Sequence, residues 1–226
     1  MTIKAILFDM DGVLYDSMSA HVLAWHETMS SVGITPPIET YYLFEGRTGY
    51  STINILFQQY FGREATMAEQ QSLYDKKAQR FVELSKDGAK PMPGAWDVLQ
   101  KTKRNGLQRI IVTGSGQLSL FEKLNTDFPG MFDREKMITA YDVQYGKPHP
   151  EPYLKGLEKA GVSPDEAVVV ENAPLGIEAS VAAGIYTIGV NTGPLSAQVL
   201  SDAGANVVLP SMSELGDNLE HLLKNM

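Results

Sequence analysis

A short apolar run, Lys4 to Phe8, stops abruptly at an acidic turn, Asp9-Met10-Asp11-Gly12. The run reads as a buried β-strand, and the turn that follows carries the first polar cluster of the chain. From about Ser17 to Lys90 the pattern changes to that of helices. Val22, Trp25, His26 and Met29 recur at helical spacing, and Gly33 ends the segment. The stretches GYSTINILFQQYFG and MAEQQSLYDKKAQRFVELSK repeat that spacing. From Pro91 onward apolar runs and amphipathic segments alternate. AWDVLQKTKRNG and PLGIEASVAAG read as helices, and RIIVT, MITA, AVVVE, YTIGV and NVVLP read as strands. Strands alternating with helices predict a parallel sheet with right-handed crossovers. The expected architecture is α/β: a Rossmann-like parallel-sheet core formed by residues 1–16 and 91–226, interrupted by a helical domain at 17–90.

Composition narrows the field. The 226 residues are 43% hydrophobic and 20% charged, with a formal net charge of -8 and a pI near 5.0. An acidic chain without a basic stripe is not expected to bind nucleic acid. There is no cysteine, so neither disulfides nor thiolate chemistry enter the picture. No stretch approaches 18 apolar residues and no secretory leader is apparent, so the expectation is a cytoplasmic protein without a membrane partner. A monomer or weak dimer is expected.

Four motifs at predicted strand ends carry the chemistry. Asp9 and Asp11 lie one residue apart, and alternate residues on an extended chain point the same way, so both carboxylates can reach one pocket. Such a pair at the carboxyl end of a strand can hold Mg²⁺ and attack phosphorus. Thr113-Gly114-Ser115-Gly116 follows the strand RIIVT, offering a hydroxyl and exposed backbone N–H groups to an anion. Lys147 is followed by Pro148 and Pro150, which stiffen the backbone around a cation that must stay in one place. Glu171-Asn172 ends the strand AVVVE with two oxygen-bearing side chains of the kind Mg²⁺ takes.

In this order the four motifs resemble the haloacid dehalogenase superfamily of phosphotransferases, and the helical insert resembles the cap of its β-phosphoglucomutase-like subfamily. The resemblance implies that Asp9 is the nucleophile that forms an aspartyl-phosphate. Asp11 is then general acid to the leaving group and afterwards general base. Thr113 binds the transferring phosphoryl group, with Gly114 and Ser115 beside it, and Lys147 neutralises charge. Mg²⁺ would sit on the Asp9 carboxylate, the Asp11 carbonyl and the Glu171-Asn172 motif. To act first as an acid, Asp11 must carry a proton, and neighbouring carboxylates are expected to raise its pKa.

Two departures from the mutase pattern bear on substrate. Asn172 stands where an Asp metal ligand is usual, and Glu45 in the loop FEGRTG stands where a non-acidic residue is usual. A Glu45 carried in by a closing cap could reach the metal and would shrink the pocket. Gly49 falls where the mutase pattern has a phosphate-binding Arg, and Arg47 lies two residues earlier. His21 and Trp25 match the first cap helix, and Lys76 and Lys77 on a later helix could face the substrate. The expected function is Mg²⁺-dependent transfer from a small phosphorylated substrate, with inorganic pyrophosphate favoured. Interconversion of β-glucose 1-phosphate and glucose 6-phosphate, or hydrolysis of a small sugar phosphate, are the alternatives. A phosphorylatable receiver domain also combines Asp, Thr/Ser and Lys at strand ends. This chain is too long for one, and its nucleophile candidate follows the first strand.

Overall fold

The computed structural model describes residues 2–86, 88–116 and 118–226. In chain order the elements are β1 (Ala5–Phe8), β2 (Tyr15–Asp16), α1 (Met18–Ser30), α2 (Glu39–Leu43), α3 (Gly49–Phe61) and α4 (Met67–Leu84). There follow β3 (Lys90–Pro91), α5 (Ala95–Arg104), β4 (Gln108–Val112), α6 (Leu118–Asp127), β5 (Met137–Ile138) and α7 (Glu151–Ala160). The chain ends with β6 (Ala167–Glu171), α8 (Pro174–Ala182), β7 (Tyr186–Val190), α9 (Ala197–Asp202), β8 (Val207–Leu209) and α10 (Met212–Lys224).

Six strands form one parallel sheet in the order β5-β4-β1-β6-β7-β8. Side-chain alternation explains why it is covered on both faces. Ile6 and Phe8 of β1 join Ile111, Val168 and Val170 on one face, under Val98 and Leu99 of α5 and Leu215 and Leu219 of α10. Ala5 and Leu7 join Ile110, Val112 and Val169 on the other, under Tyr153 and Leu157 of α7 and Ala179 of α8. Gly156 lets α7 come down onto β1: a methyl there would lie 2.7 Å from Leu7 Cδ2 and 3.0 Å from Val112 Cγ2.

The chain leaves β1 for β4 and β5 on one side, then crosses to β6, β7 and β8 on the other. Ligands bind beyond the strand ends at such a reversal. Register makes the point sharper. Phe8 pairs with both Ile111 and Val170, so the residues just after β1, β4 and β6 emerge together.

Helices α1–α4 lie between β2 and β3, which pair antiparallel, Tyr15 with Pro91 and Asp16 with Lys90. The short ladder ties the outgoing and returning chain side by side. The helices have their own apolar cluster, including Val22, Met29, Ile34, Ile53, Leu56, Phe57 and Leu73. The helices α2, α6, α7, α9 and α10 and the two-residue strands β2 and β3 add to the elements read from the sequence; pairs of residues carry no periodicity to read. Among the described residues no helix is long and apolar enough to cross a membrane.

Gly156→Ala tests the tight helix–sheet approach. Helix propensity alone would favour alanine by about 1 kcal/mol. The contacts with Leu7 and Val112 leave no room, and overpacking costs about 1–3 kcal/mol. A net loss of stability is expected in urea titration. Leu7→Ala in the same chain should recover part of it, giving a double variant less destabilised than the sum of the singles.

Candidate active site

Asp9 follows β1, and its N–H donates to Val170 O at 3.0 Å, which fixes the backbone at the strand end. Thr113 follows β4 in the same way, donating to Ile138 O at 2.9 Å, while its Oγ1 accepts from the Ser115 N–H at 3.0 Å. Lys147 comes from the loop before α7, and its ammonium is buried between these strands. Its Nζ donates to Asp9 Oδ1 at 2.6 Å, to Glu171 Oε1 at 2.6 Å and to Val112 O at 3.0 Å. The four motifs therefore converge on one point above the sheet.

Glu171 departs from the expected metal-ligand role. It is fully buried, and both its oxygens are taken by protein donors. Oε1 accepts from Lys147 and, at 2.7 Å, from Tyr153 Oη; Oε2 accepts from the N–H groups of Asn172 and Ala173 at 3.0 and 3.1 Å. A carboxylate with four donors has little left to offer a cation. It anchors the lysine instead. Gly176 makes room for it, since a methyl there would lie 1.7 Å from Oε1.

Asp11 also departs from expectation. Burial alone would raise its pKa, but His21, Ser17 and Lys77 outweigh burial and hold it below the usual carboxylate range. Ser17 Oγ donates to Asp11 Oδ1 at 2.5 Å, and His21 Nε2 lies 3.1 Å from the same oxygen. Lys77 Nζ lies 2.6 Å from His21 Nδ1. An ammonium can only donate, so Nδ1 accepts and Nε2 carries the hydrogen toward Asp11. Burial and then Lys77 lower the His21 pKa, in keeping with a neutral ring. These partners favour the ionised form of Asp11. Ser17 has no sequence signal of its own, because a serine before a helix reads as an N-cap; here it makes no side-chain cap bond.

The narrow cleft above these groups has room of about 40 Å³ and is lined by Asp11, His21, Glu45, Arg47, Lys77 and Ser115, among others. The loop between α2 and α3 closes directly on the catalytic loops. Methyl groups at Gly114 and Gly46 would lie 2.4 Å from Gly46 O and 2.9 Å from Lys147 Cδ. Glu45 is thereby brought over the aspartates. Burial first, then the Asp11 and Asp9 charges, push its pKa up to about 8. Burial, with Glu171 and Asp11 adding and Lys147 opposing, pushes Asp9 up to about 7. Lys77 is pushed down to about 8 by burial, against the pull of Glu45 and Asp11.

The remaining candidates separate. Arg47 reaches the cleft, and its buried Nε has no hydrogen-bond partner among the described residues. Lys76 does not reach it; its ammonium bonds Ser31 Oγ at 2.8 Å on an exposed face of α4. Lys76 and Lys77 are neighbours on a helix, about 100° apart, so only one can face inward. Tyr74, which the sequence did not single out, fills the space beside Gly49: a side chain at 49 would begin 2.3 Å from its ring. An arginine at that position has no path into the cleft while Tyr74 stands there.

The residues fit Mg²⁺ in its usual manner, with few carboxylates plus neutral oxygens and substrate phosphate. Among the described residues no three acidic or histidine side chains form a ready cage. Yet Asn172 Oδ1 is buried without a hydrogen-bond partner among them, and the Asp11 charge disfavours ionised Asp9 while Asp11 and Asp9 both disfavour ionised Glu45. A cation there would satisfy both.

Fold and site define a phosphoryl-transferring hydrolase class. A family model for haloacid dehalogenase-like hydrolases matches residues 3–184, and the chain belongs to that family. Its structural neighbours are β-phosphoglucomutase-like. A Bacteroides vulgatus protein provisionally named β-phosphoglucomutase is 50% identical, with a TM-score of 0.94 over 99% of this chain and 90% of that one. Hexitol phosphatase A of Escherichia coli (strain K12) is 30% identical over 216 residues, 95% of this chain and 94% of its own. A phosphorylated carbohydrates phosphatase of Thermotoga maritima is 29% identical over 222 residues, 97% of this chain and all of its own.

The charge pattern predicts an unusual pH dependence. The folded pKa values of Asp9 and Glu45 lie above their unfolded values of 3.8 and 4.5. The folded state then holds more protons, so the stability these groups contribute is full below pH 4 and is lost as pH rises through about 7 to 8. Mg²⁺ would bind their charged forms. The rise in Tm on adding Mg²⁺ should therefore be larger at pH 8 than at pH 5, and Glu45→Gln should shrink that difference. Equal shifts at both pH values would contradict the assignment.

Proposed function

We propose that the chain is a phosphohydrolase that works through an aspartyl-phosphate on Asp9, with inorganic pyrophosphate as its substrate and water as acceptor. The observation that carries this reading is Glu45, held near Asp9 and Asp11 in a cleft that Tyr74 narrows beside Gly49. Together they leave space for a compact, highly charged group. Residues 17–90 act as the cap, 1–16 and 91–226 as the catalytic core.

Asp9 Oδ attacks one phosphorus, and the bond to the bridging oxygen breaks as orthophosphate leaves. Such a leaving group needs no proton from Asp11, which suits the ionised state of that residue. Water then attacks the phosphorus of the acyl-phosphate, Asp11 takes its proton, and the Asp9 carboxylate is regenerated. Lys147 offsets charge on the nucleophile and the transferring group, and Thr113 with the Gly114 and Ser115 backbone cradles phosphoryl oxygens. Arg47 and Lys77 hold the second phosphate. The Asp9 carboxylate, the Asp11 carbonyl, Asn172 and Glu45 would hold Mg²⁺, which would add positive charge for the phosphoryl oxygens.

A second reading is hydrolysis of a small sugar or polyol phosphate. The names of the curated relatives favour it, since both act on phosphorylated carbohydrates or hexitols. The mutase reading is weaker, because Tyr74 occupies the approach from position 49.

The test is a panel of pyrophosphate, β-glucose 1-phosphate and a hexitol phosphate with Mg²⁺. Pyrophosphate should give the highest kcat/KM; a preference for either carbohydrate would overturn the substrate. Asp9→Asn should lose more than about 10³-fold in kcat on every substrate while remaining folded. Tyr74→Ala should move the kcat/KM ratio toward the larger esters by about tenfold or more, as an opened pocket allows.

A further inference from the structure

The loop that carries Asp9 and Asp11 is held mostly from within. Met10 O accepts from the N–H groups of Val13, Leu14 and Tyr15 at 3.4, 2.9 and 3.0 Å, and the Gly12 N–H donates to Tyr15 O at 2.7 Å. Gly12 is the soft point. Its φ is +84°, a conformation open to glycine, and a methyl there would lie 2.1 Å from Asn172 Nδ2. Glycine is also the residue with the most freedom to lose, so its two flanking peptide planes need separate ties to stay put.

One tie is the bond to Tyr15. The Gly12 N–H and the Asp11 C=O belong to the same peptide unit and point opposite ways. Fixing the N–H on Tyr15 O therefore turns the Asp11 carbonyl away from Tyr15. The other tie comes from outside the loop. Thr192 Oγ1 donates to Gly12 O at 2.6 Å, across 180 positions of sequence. Thr192 is itself well anchored just beyond β7. Its N–H donates to Val190 O at 2.9 Å, and the neighbouring Asn191 N–H donates to Leu209 O at 2.8 Å.

We propose that Thr192 is a positioning residue for the metal site: its hydroxyl clamps the Gly12–Val13 peptide, holds Gly12 in its left-handed turn, and so steadies the adjoining Asp11–Gly12 peptide, whose carbonyl would bind Mg²⁺. Thr192 lies outside all four motifs, and nothing in its sequence neighbourhood, VNTGP, singles it out. This inference rests on the Mg²⁺ role proposed above but not on the choice of substrate.

The test compares Thr192→Val, which keeps the shape and removes the donor, with Thr192→Ser, which keeps the donor. Mg²⁺ alone is titrated into each folded protein by calorimetry, and the Mg²⁺ activation constant is measured beside it. Loss of a hydrogen bond that orients a metal ligand costs roughly tenfold or more in affinity. That weakening is expected for valine in both readouts, with serine within about twofold of the unsubstituted protein and all three alike in Tm. Wild-type affinity in Thr192→Val overturns the proposal. So does an equal loss in Thr192→Ser, which would make the residue a matter of packing. If the unsubstituted protein binds no Mg²⁺, the metal role fails and this inference with it. If it binds Mg²⁺ but hydrolyses nothing in the phosphate panel, only the substrate reading fails, and the calorimetric comparison still decides the role of Thr192.

Discussion

The Lys147 ammonium, buried between the carboxylates of Asp9 and Glu171, is the charge around which the catalytic face is arranged. Removing three ionised groups from water is costly, and the cost is offset only when every lone pair and proton finds a partner. Here the partners come from five places: β1, β4, the loop before α7, Tyr153 on α7 and the end of β6. Tyr153 and two backbone N–H groups complete Glu171, so the lysine is shared between one carboxylate that is saturated and one that is not. That asymmetry leaves Asp9 as the one with reactive capacity to spare. Gly176 belongs to the same arrangement, because α8 can begin beside Glu171 only if it presents no side chain there.

A second charge system faces the first across the cleft. Asp11 is tied through His21 to Lys77, a chain of groups that spans from β1 to α4. Lys77 also lies over the rings of Trp25 and Phe81, which hold its stem within the helical segment. The two systems adjoin through Asp9 and Asp11, and the loop at Gly46 lies on Gly114 and Lys147 beside them. The same loop carries Glu45, so its carboxyl joins the two systems in the cleft, where burial and the Asp11 and Asp9 charges push its pKa up to about 8.

The parallel sheet was legible because its strands are short, uniformly apolar runs bounded by polar turns. Asp9, Thr113 and Lys147 were legible as a group because each sits where such a run, or a proline-stiffened loop, stops. What escaped depends on three-dimensional neighbours. Ser17 looks like a helix cap until Asp11 is seen beside it. Glu171 looks like a ligand until its four donors are counted. Lys76 and Lys77 are chemically alike, and only the packing of α4 decides which faces inward. The charge state of Asp11 was expected to follow from nearby carboxylates, whereas His21, ten residues on, has the larger say. Tyr74 carries no motif, and its effect on position 49 is purely steric.

The position of β1 has a consequence for how the chain reaches this structure. It precedes β4 and β6 in the chain by about 100 and 160 residues, yet those are its two neighbours, and its register with β6 involves residues as far along as Val170. Contacts of such long sequence separation form late and slowly. The apolar cluster of the helical segment draws its residues from Met18 to Tyr74 alone. During synthesis the helices can therefore settle while the strand that bears Asp9 is still unpaired. The run Ala5 to Phe8 then lacks its second partner until Ala167 to Val170 have followed, and unpaired strand edges of that kind are prone to aggregate.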